Sequence, residues 1–184
     1  GSTAMQKPRA DKMRRVCVIG PCGSGKSTFS RKLAAVTDLP LIHLDQQYWR
    51  PGWQKPAVGQ WPKQVHALVS EDSWIIDGNY HSTMETRLAR SDTVIFLDYP
   101  RRVFLWRALK RIILNYGRVR ADSAPGCPER FDLSFLLYLW RFRRISRPKT
   151  LDALDRYREA GDRGRRVYVL SHPRMADEFL EKLA

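Results

Sequence analysis

The sequence predicts an α/β protein built on a five-stranded parallel sheet, and three observations carry that prediction. Short apolar runs recur at Arg15–Ile19, 41–44, 74–76, Thr93–Leu97 and Arg166–Leu170, each bounded by polar or turn residues. Stretches of helical periodicity separate most of them, as parallel strands require. The first run leads straight into Gly20-Pro21-Cys22-Gly23-Ser24-Gly25-Lys26-Ser27-Thr28, and Phe29, Leu33 and Val36 behind it fall on one helix face.

The elements follow in order. Val16-Cys17-Val18-Ile19 is apolar and β-branched, as a buried strand should be. The glycine loop and the first helix come next, then Leu41-Ile42-His43-Leu44. Val65, Leu68 and Val69 mark a helix before the third strand, and Met84 and Leu88 one before the fourth. A long basic stretch, 101–150, separates the fourth strand from the fifth. Within it 103–116 reads as a helix with Leu105, Leu109, Ile112, Ile113 and Tyr116 on its apolar side, and 117–130, rich in Gly, Pro and Asp, as a loop. A second helix at 131–146 turns Leu133, Leu136, Leu137, Trp140 and Ile145 inward; Pro148 breaks it, and Leu151, Leu154 and Tyr157 begin a third. Phe179, Leu180 and Leu183 close the chain on a last helix.

At 184 residues one domain is expected, spanning 14–184. Residues 1–13 read as a tag remnant and a loose tail. No apolar run could span a membrane or act as a signal peptide, so no membrane partner and a cytoplasmic location are the default expectation. Cys17, Cys22 and Cys127 have neither disulfide nor zinc-ligand spacing. Thirteen Lys and Arg against three acids place +10 of the chain's +14 formal charge within 101–150. Such a field attracts polyanions, whether nucleotide phosphates or nucleic acid.

The loop at 20–28 fits the P-loop spacing: Gly, four residues, then Gly-Lys-Ser. Its glycines let backbone N–H groups turn inward around an anion. Lys26 reaches the outer phosphates, the Ser27 hydroxyl is placed to ligate Mg²⁺, and the helix behind adds its positive end. Gly20, Pro21, Cys22, Gly23, Ser24, Gly25, Lys26, Ser27 and Thr28 are therefore nucleotide-binding candidates. Ligands of open α/β sheets sit at the carboxyl ends of the strands, where Asp45, Asp77 and Asp98 fall. Asp77, after Trp74-Ile75-Ile76, suits a metal-holding role beside Ser27. Asp45 is a candidate base for an attacking hydroxyl, a group that binds the acceptor, or a helix cap. Asp98 ranks below Asp77.

These residues resemble a family. The phosphate loop, His43-Leu44-Asp45, Tyr48-Trp49-Arg50-Pro51-Gly52-Trp53, Asp77-Gly78-Asn79-Tyr80 and Ala124-Pro125-Gly126-Cys127-Pro128-Glu129-Arg130 look together like the bacterial DNA topology modulation proteins, P-loop proteins similar to adenylate kinase. The resemblance covers nearly the whole chain. It implies a three-layer P-loop fold of the nucleoside-monophosphate-kinase kind. In it 45–73 would bind the acceptor, and 101–150 would form a helical, basic LID. It also implies ATP with Mg²⁺ as donor. By position, Arg107 and Arg111 would contact donor base and phosphates, Arg141 and Arg144 would supply a second clamp, and His172-Pro173 would edge the adenine. Adenylate kinases carry an arginine soon after the third-strand Asp-Gly. Here Asn79 and Tyr80 follow instead, and the next arginine is Arg87.

The expected activity is transfer of the γ-phosphate of ATP to a small acceptor, first of all a nucleotide or nucleoside. Lys26, Arg107, Arg111 and Arg141 would neutralise the moving charge, with Arg50 and Arg87 holding an anionic group of the acceptor. Trp49, Trp53 and Trp61 could stack on an acceptor ring, but sealing a small lobe is the commoner role. The competing reading is a nucleic-acid-binding protein with a regulatory or vestigial ATP site. Trp106, Tyr116, Phe131 and Trp140 in the basic stretch would then stack on a single strand, against which stands their helix-core spacing.

Overall fold

The computed structural model describes residues 8–161 and 164–184; residues 1–7 of the expected tail lie outside the described residues. The elements are β1 (Arg15–Ile19), α1 (Lys26–Thr37), β2 (Leu41–His43), α2 (Leu44–Tyr48), α3 (Gln60–Val69), β3 (Trp74–Asp77), α4 (His81–Arg90), β4 (Thr93–Leu97), α5 (Arg101–Asn115), α6 (Leu133–Glu159), β5 (Arg166–Leu170) and α7 (Pro173–Leu183). The strands form one parallel sheet in the order β2-β3-β1-β4-β5. Val16 pairs with Ile75 on one side and Thr93 on the other, so β1 is central. The chain leaves β1 towards one edge and later crosses to the other. The crevice at its carboxyl end is therefore the switch point where ligands of such sheets bind.

Alternation along the strands builds a core on each face of the sheet. Cys17, Ile19, Trp74, Ile76, Val94 and Phe96 pack with α3, α4 and the C-terminal part of α6. Val16, Val18, Ile75, Ile95 and Leu97 pack with α1 and α7 through Phe29, Leu33, Phe179 and Leu180. Helix, sheet, helix is the three-layer architecture that the sequence predicts, since strands apolar on both faces need cover on both.

Four details differ from the sequence expectations. The second strand stops at His43, and Leu44 opens α2 with its side chain fully buried beside Gly78. In the described part of the tail, Ala10–Lys12 form one 3₁₀ turn, and Met13 enters the core with α1 and α7. Pro148 does not break α6, which runs unbroken from Leu133 to Glu159. Pro148 and Arg144, whose carbonyl loses its helical donor, both lie on the solvent face, so water takes that bond. Phe142, Ser146, Thr150 and Ala153 hold the opposite face against the core.

The fourth difference is the inward face of the insertion. Phe104, Ala108 and Ile112 of α5 meet Leu139 and Phe142 of α6 in a small separate core. Ile113, Tyr116, Leu133, Leu137, Trp140 and Ile145, expected inside, are exposed. The sheet does not extend under the exposed stretches of α5 and the N-terminal half of α6, so their mutual seam covers only one stripe on each there.

Candidate functional site

The loop between β1 and α1 is braced from several sides. Asn79, just past β3, clasps Gly20: its Oδ1 accepts from the Gly20 N–H at 3.0 Å and its Nδ2 donates to the Gly20 carbonyl at 2.6 Å. The buried Ser24 hydroxyl and the Lys26 ammonium both donate to the Pro21 carbonyl, at 2.6 and 3.1 Å. Gly23 lies at φ +82°, so close under α5 that a Cβ would run into the Phe104 carbonyl. The N-cap of α1 is Gly25, and among the described residues no side chain caps that helix start. The first-turn N–H groups of α1 thus open into the cleft unpartnered, which is what an anion requires of a helix start.

That cleft encloses about 870 Å³. Cys22 to Phe29 form its floor. One end is walled by Tyr99, Pro173 and Ala176, the other by Asp45, Trp49, Trp53 and Tyr80. Pro173 reaches the cleft, whereas His172 is exposed and caps α7, its Nδ1 accepting the Met175 N–H at 3.3 Å.

Arg107 and Arg111 come down from α5 side by side, one helical turn apart. Arg107 Nη1 lies 3.4 Å from the Ser24 carbonyl, with its guanidinium over the Tyr99 ring. Arg111 Nη1 lies 2.9 Å from Cys22 Sγ, and its Nη2 lies 3.3 Å from Glu129 Oε1. Burial pulls the Arg111 pKa down, but the Cys22 sulfur and the Glu129 carboxylate outweigh it and raise it.

The structure does not bring the other expected arginines to the cleft. Arg141 is exposed on the outer side of α6. Arg50 turns back to the Gln47 carbonyl and Gln64. Arg87 is fully buried and fans its guanidinium over the carbonyls of Gly78, Asn79 and Tyr80. Neither Arg50 nor Arg87 lines the cleft, and Arg87 has no exposed donor for an acceptor's anion. Helical phase decides the first case and burial the last, and neither is visible in residue identity.

Asp77 ends β3 almost fully buried, 2.5 Å from His43 Nδ1 on the neighbouring strand. Burial lowers the His43 pKa, but the hydrogen bond and charge of Asp77 reverse the sign and raise it. Asp98 is taken up by Arg147, whose Nε and Nη2 donate to its two oxygens at 2.8 and 2.7 Å, and so anchors α6. A carboxylate absent from the sequence reading, Asp122 of the 117–130 loop, lies beside the Ser27 hydroxyl. Burial pushes its pKa up, while Arg120 and Ser27 pull it below the usual range. Ser27, Asp77 and Asp122 all line the cleft, with Asp122 beside Ser27; a hydroxyl and carboxylates are donors of the hard-oxygen kind that Mg²⁺ takes.

At the far end, Asp45 sits in the first turn of α2 and accepts the Tyr80 hydroxyl at 2.6 Å. Burial, then the charge and hydrogen bond of Asp45, push the Tyr80 pKa up, so this hydroxyl remains a donor. Tyr80 holds φ +36° as the N-cap of α4, a conformation kept by the Arg87 bond to its carbonyl. Trp49 and Trp53 meet edge to face with ring centroids 5.5 Å apart, and both face the cleft. Trp61 is buried against Tyr48 and Tyr80 and seals the lobe behind them.

Two of the strings that carry the family resemblance, 48–53 and 124–130, lie against each other, a contact the sequence does not show. Gly52 N–H donates to the Gly126 carbonyl at 2.8 Å, Trp53 Nε1 to the Pro128 carbonyl at 3.0 Å, and Cys127 Sγ to the Arg50 carbonyl at 3.1 Å. Nothing in the spacing of either string reveals its partner.

The cysteines offer a test of the floor. Burial pushes the Cys17 thiol up to about 11, Cys127 is buried, and Cys22 is half-exposed in the cleft. A brief maleimide pulse is expected to label each native chain once, at Cys22, and saturating Mg²⁺·ATP is expected to suppress it. Peptide mass mapping reads the site; labelling that ATP leaves unchanged contradicts a nucleotide over Cys22.

No protein-family model and no curated protein sequence matches the chain. Solved structures do. Shikimate kinase from Acinetobacter baumannii, in complex with shikimate, superposes with a TM-score of 0.57 at 16% identity, over 93% of this chain and 91% of that one. Shikimate kinase from Bacteroides thetaiotaomicron gives 0.50 at 13% identity, over 93% and 96%. The fold is that of the small P-loop kinases.

Proposed function

We propose that this protein is a P-loop kinase that moves the γ-phosphate of ATP to a hydroxyl of a small acceptor, a nucleoside before a nucleotide. One observation carries the reading: the uncapped start of α1 and Lys26 face the same cleft as Arg107 and Arg111, with a carboxylate, Asp45, at its other end. Membership of the bacterial DNA topology modulation proteins, suggested by the paired strings, is part of the same proposal.

Phosphoryl transfer needs positioning and charge neutralisation more than covalent help. The N–H groups of 23–28 and Lys26 would cradle the β- and γ-phosphates, and Tyr99 and Pro173 would flank the donor base. Ser27, with Asp77 and Asp122, would hold Mg²⁺, which supplies charge neutralisation across the phosphates when bound. Arg107 and Arg111 would follow the moving charge. Asp45, oriented by the Tyr80 hydroxyl, would take the proton of the attacking hydroxyl.

The acceptor follows from what the far end contains. Trp49, Trp53 and Tyr80 offer aromatic faces, while Arg50 and Arg87, the groups expected to hold an acceptor phosphate, are engaged elsewhere. A flat, uncharged ring bearing a hydroxyl suits that lining better than a monophosphate does. Screening labelled ATP against nucleosides, nucleoside monophosphates and small hydroxyl compounds tests this. Asp45→Asn is expected to reduce transfer by about 10²–10⁴-fold, the usual contribution of a positioned base, with ATP affinity unchanged. Unchanged turnover removes Asp45 from that role; transfer to monophosphates alone removes the nucleoside.

A second reading draws on the exposed aromatics of the insertion. Trp106, Tyr116, Phe131 and Trp140 are 66%, 67%, 60% and 56% exposed, so helix-core packing does not account for them. With the surrounding arginines they form a surface suited to stacking on a single strand. Oligonucleotide binding that falls steeply with salt and ignores ATP would support this reading; competition with ATP would instead place the polymer in the phosphate site.

A further inference from the structure

One buried carboxylate in this cleft serves two arginines. Glu129 is 7% exposed, and its oxygens are divided: Oε1 lies 3.3 Å from Arg111 Nη2, and Oε2 lies 2.8 Å from Arg120 Nε. Arg120 in turn holds Asp122, its Nη1 donating to both carboxylate oxygens at 3.1 and 3.2 Å, and Asp122 lies beside Ser27. The chain of charges Arg111, Glu129, Arg120, Asp122 thus ends at the first turn of α1, above the floor of the cleft. A carboxylate this buried survives as an anion only where it is paired and held.

The segment that carries Arg120, Asp122 and Glu129 is fixed at both its base and its tip. At the base, Gly117 N–H donates to the Glu129 carbonyl at 2.8 Å, and Glu129 N–H to the Arg118 carbonyl at 2.7 Å. At the tip it lies on α2 and the chain beyond it: besides the bonds to Gly52, Trp53 and the Arg50 carbonyl, Gln46 Nε2 donates to the Ala121 carbonyl at 2.8 Å. Gly126, at φ +71°, sits so near Pro51 that a Cβ would approach its Cβ to 2.8 Å. The charged groups therefore reach the donor end of the cleft on a strap seated on the Asp45 end.

We propose that Arg120 contacts the γ-phosphate of the bound triphosphate, and that Glu129 is the positioning residue that aims Arg120 and Arg111 at it. This rests on the phosphotransfer reading of the cleft. An arriving γ-phosphate replaces Asp122 as the partner of Arg120 Nη1, while the Glu129 carboxylate stays in charge contact with Nε and so biases the direction of the fork. Seating the strap on residues 46–54 makes this arrangement depend on the segment that would hold the acceptor.

The test compares two nucleotides on the full chain by titration calorimetry: Mg²⁺ with ADP, and Mg²⁺ with the imidotriphosphate analogue of ATP. Arg120→Ala is expected to weaken the triphosphate analogue roughly tenfold, the scale of one charge-assisted hydrogen bond, and ADP by less than twofold. Glu129→Gln, which keeps the shape and removes the charge, is expected to give the same selective loss. In an Arg120→Ala background it should add less than it does alone, because part of its effect passes through Arg120. A purely structural role would weaken both nucleotides together and lower the melting temperature in step. If Glu129→Gln does not fold, Arg120→Ala decides alone. Equal loss for both nucleotides, or loss for neither, overturns the proposal while leaving the kinase reading in place. Failure of the wild-type chain to bind either nucleotide overturns both.

Discussion

Arg111→Ala is expected to slow phosphoryl transfer by about 10³–10⁵-fold, the range that a transition-state arginine contributes in this chemistry. Its guanidinium reaches the loop at Cys22 and is held from behind by Glu129, so it is already aimed before a nucleotide arrives. A preorganised charge does not have to reorient as the phosphoryl group moves, which is why its loss should appear in the rate more than in ATP affinity. Arg107, one turn earlier, is different. It lies against the Ser24 carbonyl and over the Tyr99 ring, beside the place proposed for the donor base, and Arg107→Ala should raise the ATP KM with a smaller loss of rate. Single-turnover measurements with labelled ATP separate the two. A loss below tenfold for Arg111→Ala, in a protein whose melting temperature is unchanged, would take it out of the reaction.

Arg87→Met should cost about 3 kcal/mol of folding stability. The side chain is fully buried, and its hydrogen bonds go to three successive carbonyls at the end of β3. Two effects oppose each other. Methionine removes a guanidinium that burial disfavours, as the lowered Arg87 pKa records. It also strands the carbonyls of Gly78 and Asn79, at about 1–3 kcal/mol for each that finds no other partner, while the Tyr80 carbonyl keeps the Thr83 N–H and hydroxyl. Two stranded acceptors outweigh one desolvated cation. For a chain of this size the melting temperature should fall by roughly 6–12 °C. Arg87→Lys should rescue little, because an ammonium cannot span the fork. The same carbonyls set Tyr80, and through it Asp45, so acceptor turnover should fall further than stability alone explains. A melting temperature within 2 °C of wild type would contradict this account.

Much of the scaffold was legible because its signals are local. Each strand of the sheet is a short apolar run, and a glycine loop between a strand and a helix admits few other structures. The pairing of Arg107 with Arg111 was readable too, since an i, i+4 spacing puts both on one face once the segment is a helix. Where the reading failed, the deciding fact lay elsewhere in the chain. Pro148 looked like a breaker, but its lost bond points to water and the helix continues. Leu133, Leu137, Trp140 and Ile145 looked like core, but no sheet lies beneath them.

The amino-acid order by itself determined the parallel sheet, the anion-binding loop and the charge of the insertion, since strand, turn and helix preferences act over a few residues. Only the tertiary structure decided which charges meet. It sent Arg50, Arg87 and Arg141 away from the cleft, brought Asn79, Arg120, Asp122 and Glu129 into it, and laid one selective string on the other. A buried charge persists only where a partner is held within reach, and that partner is supplied by chain folded back from far along the sequence.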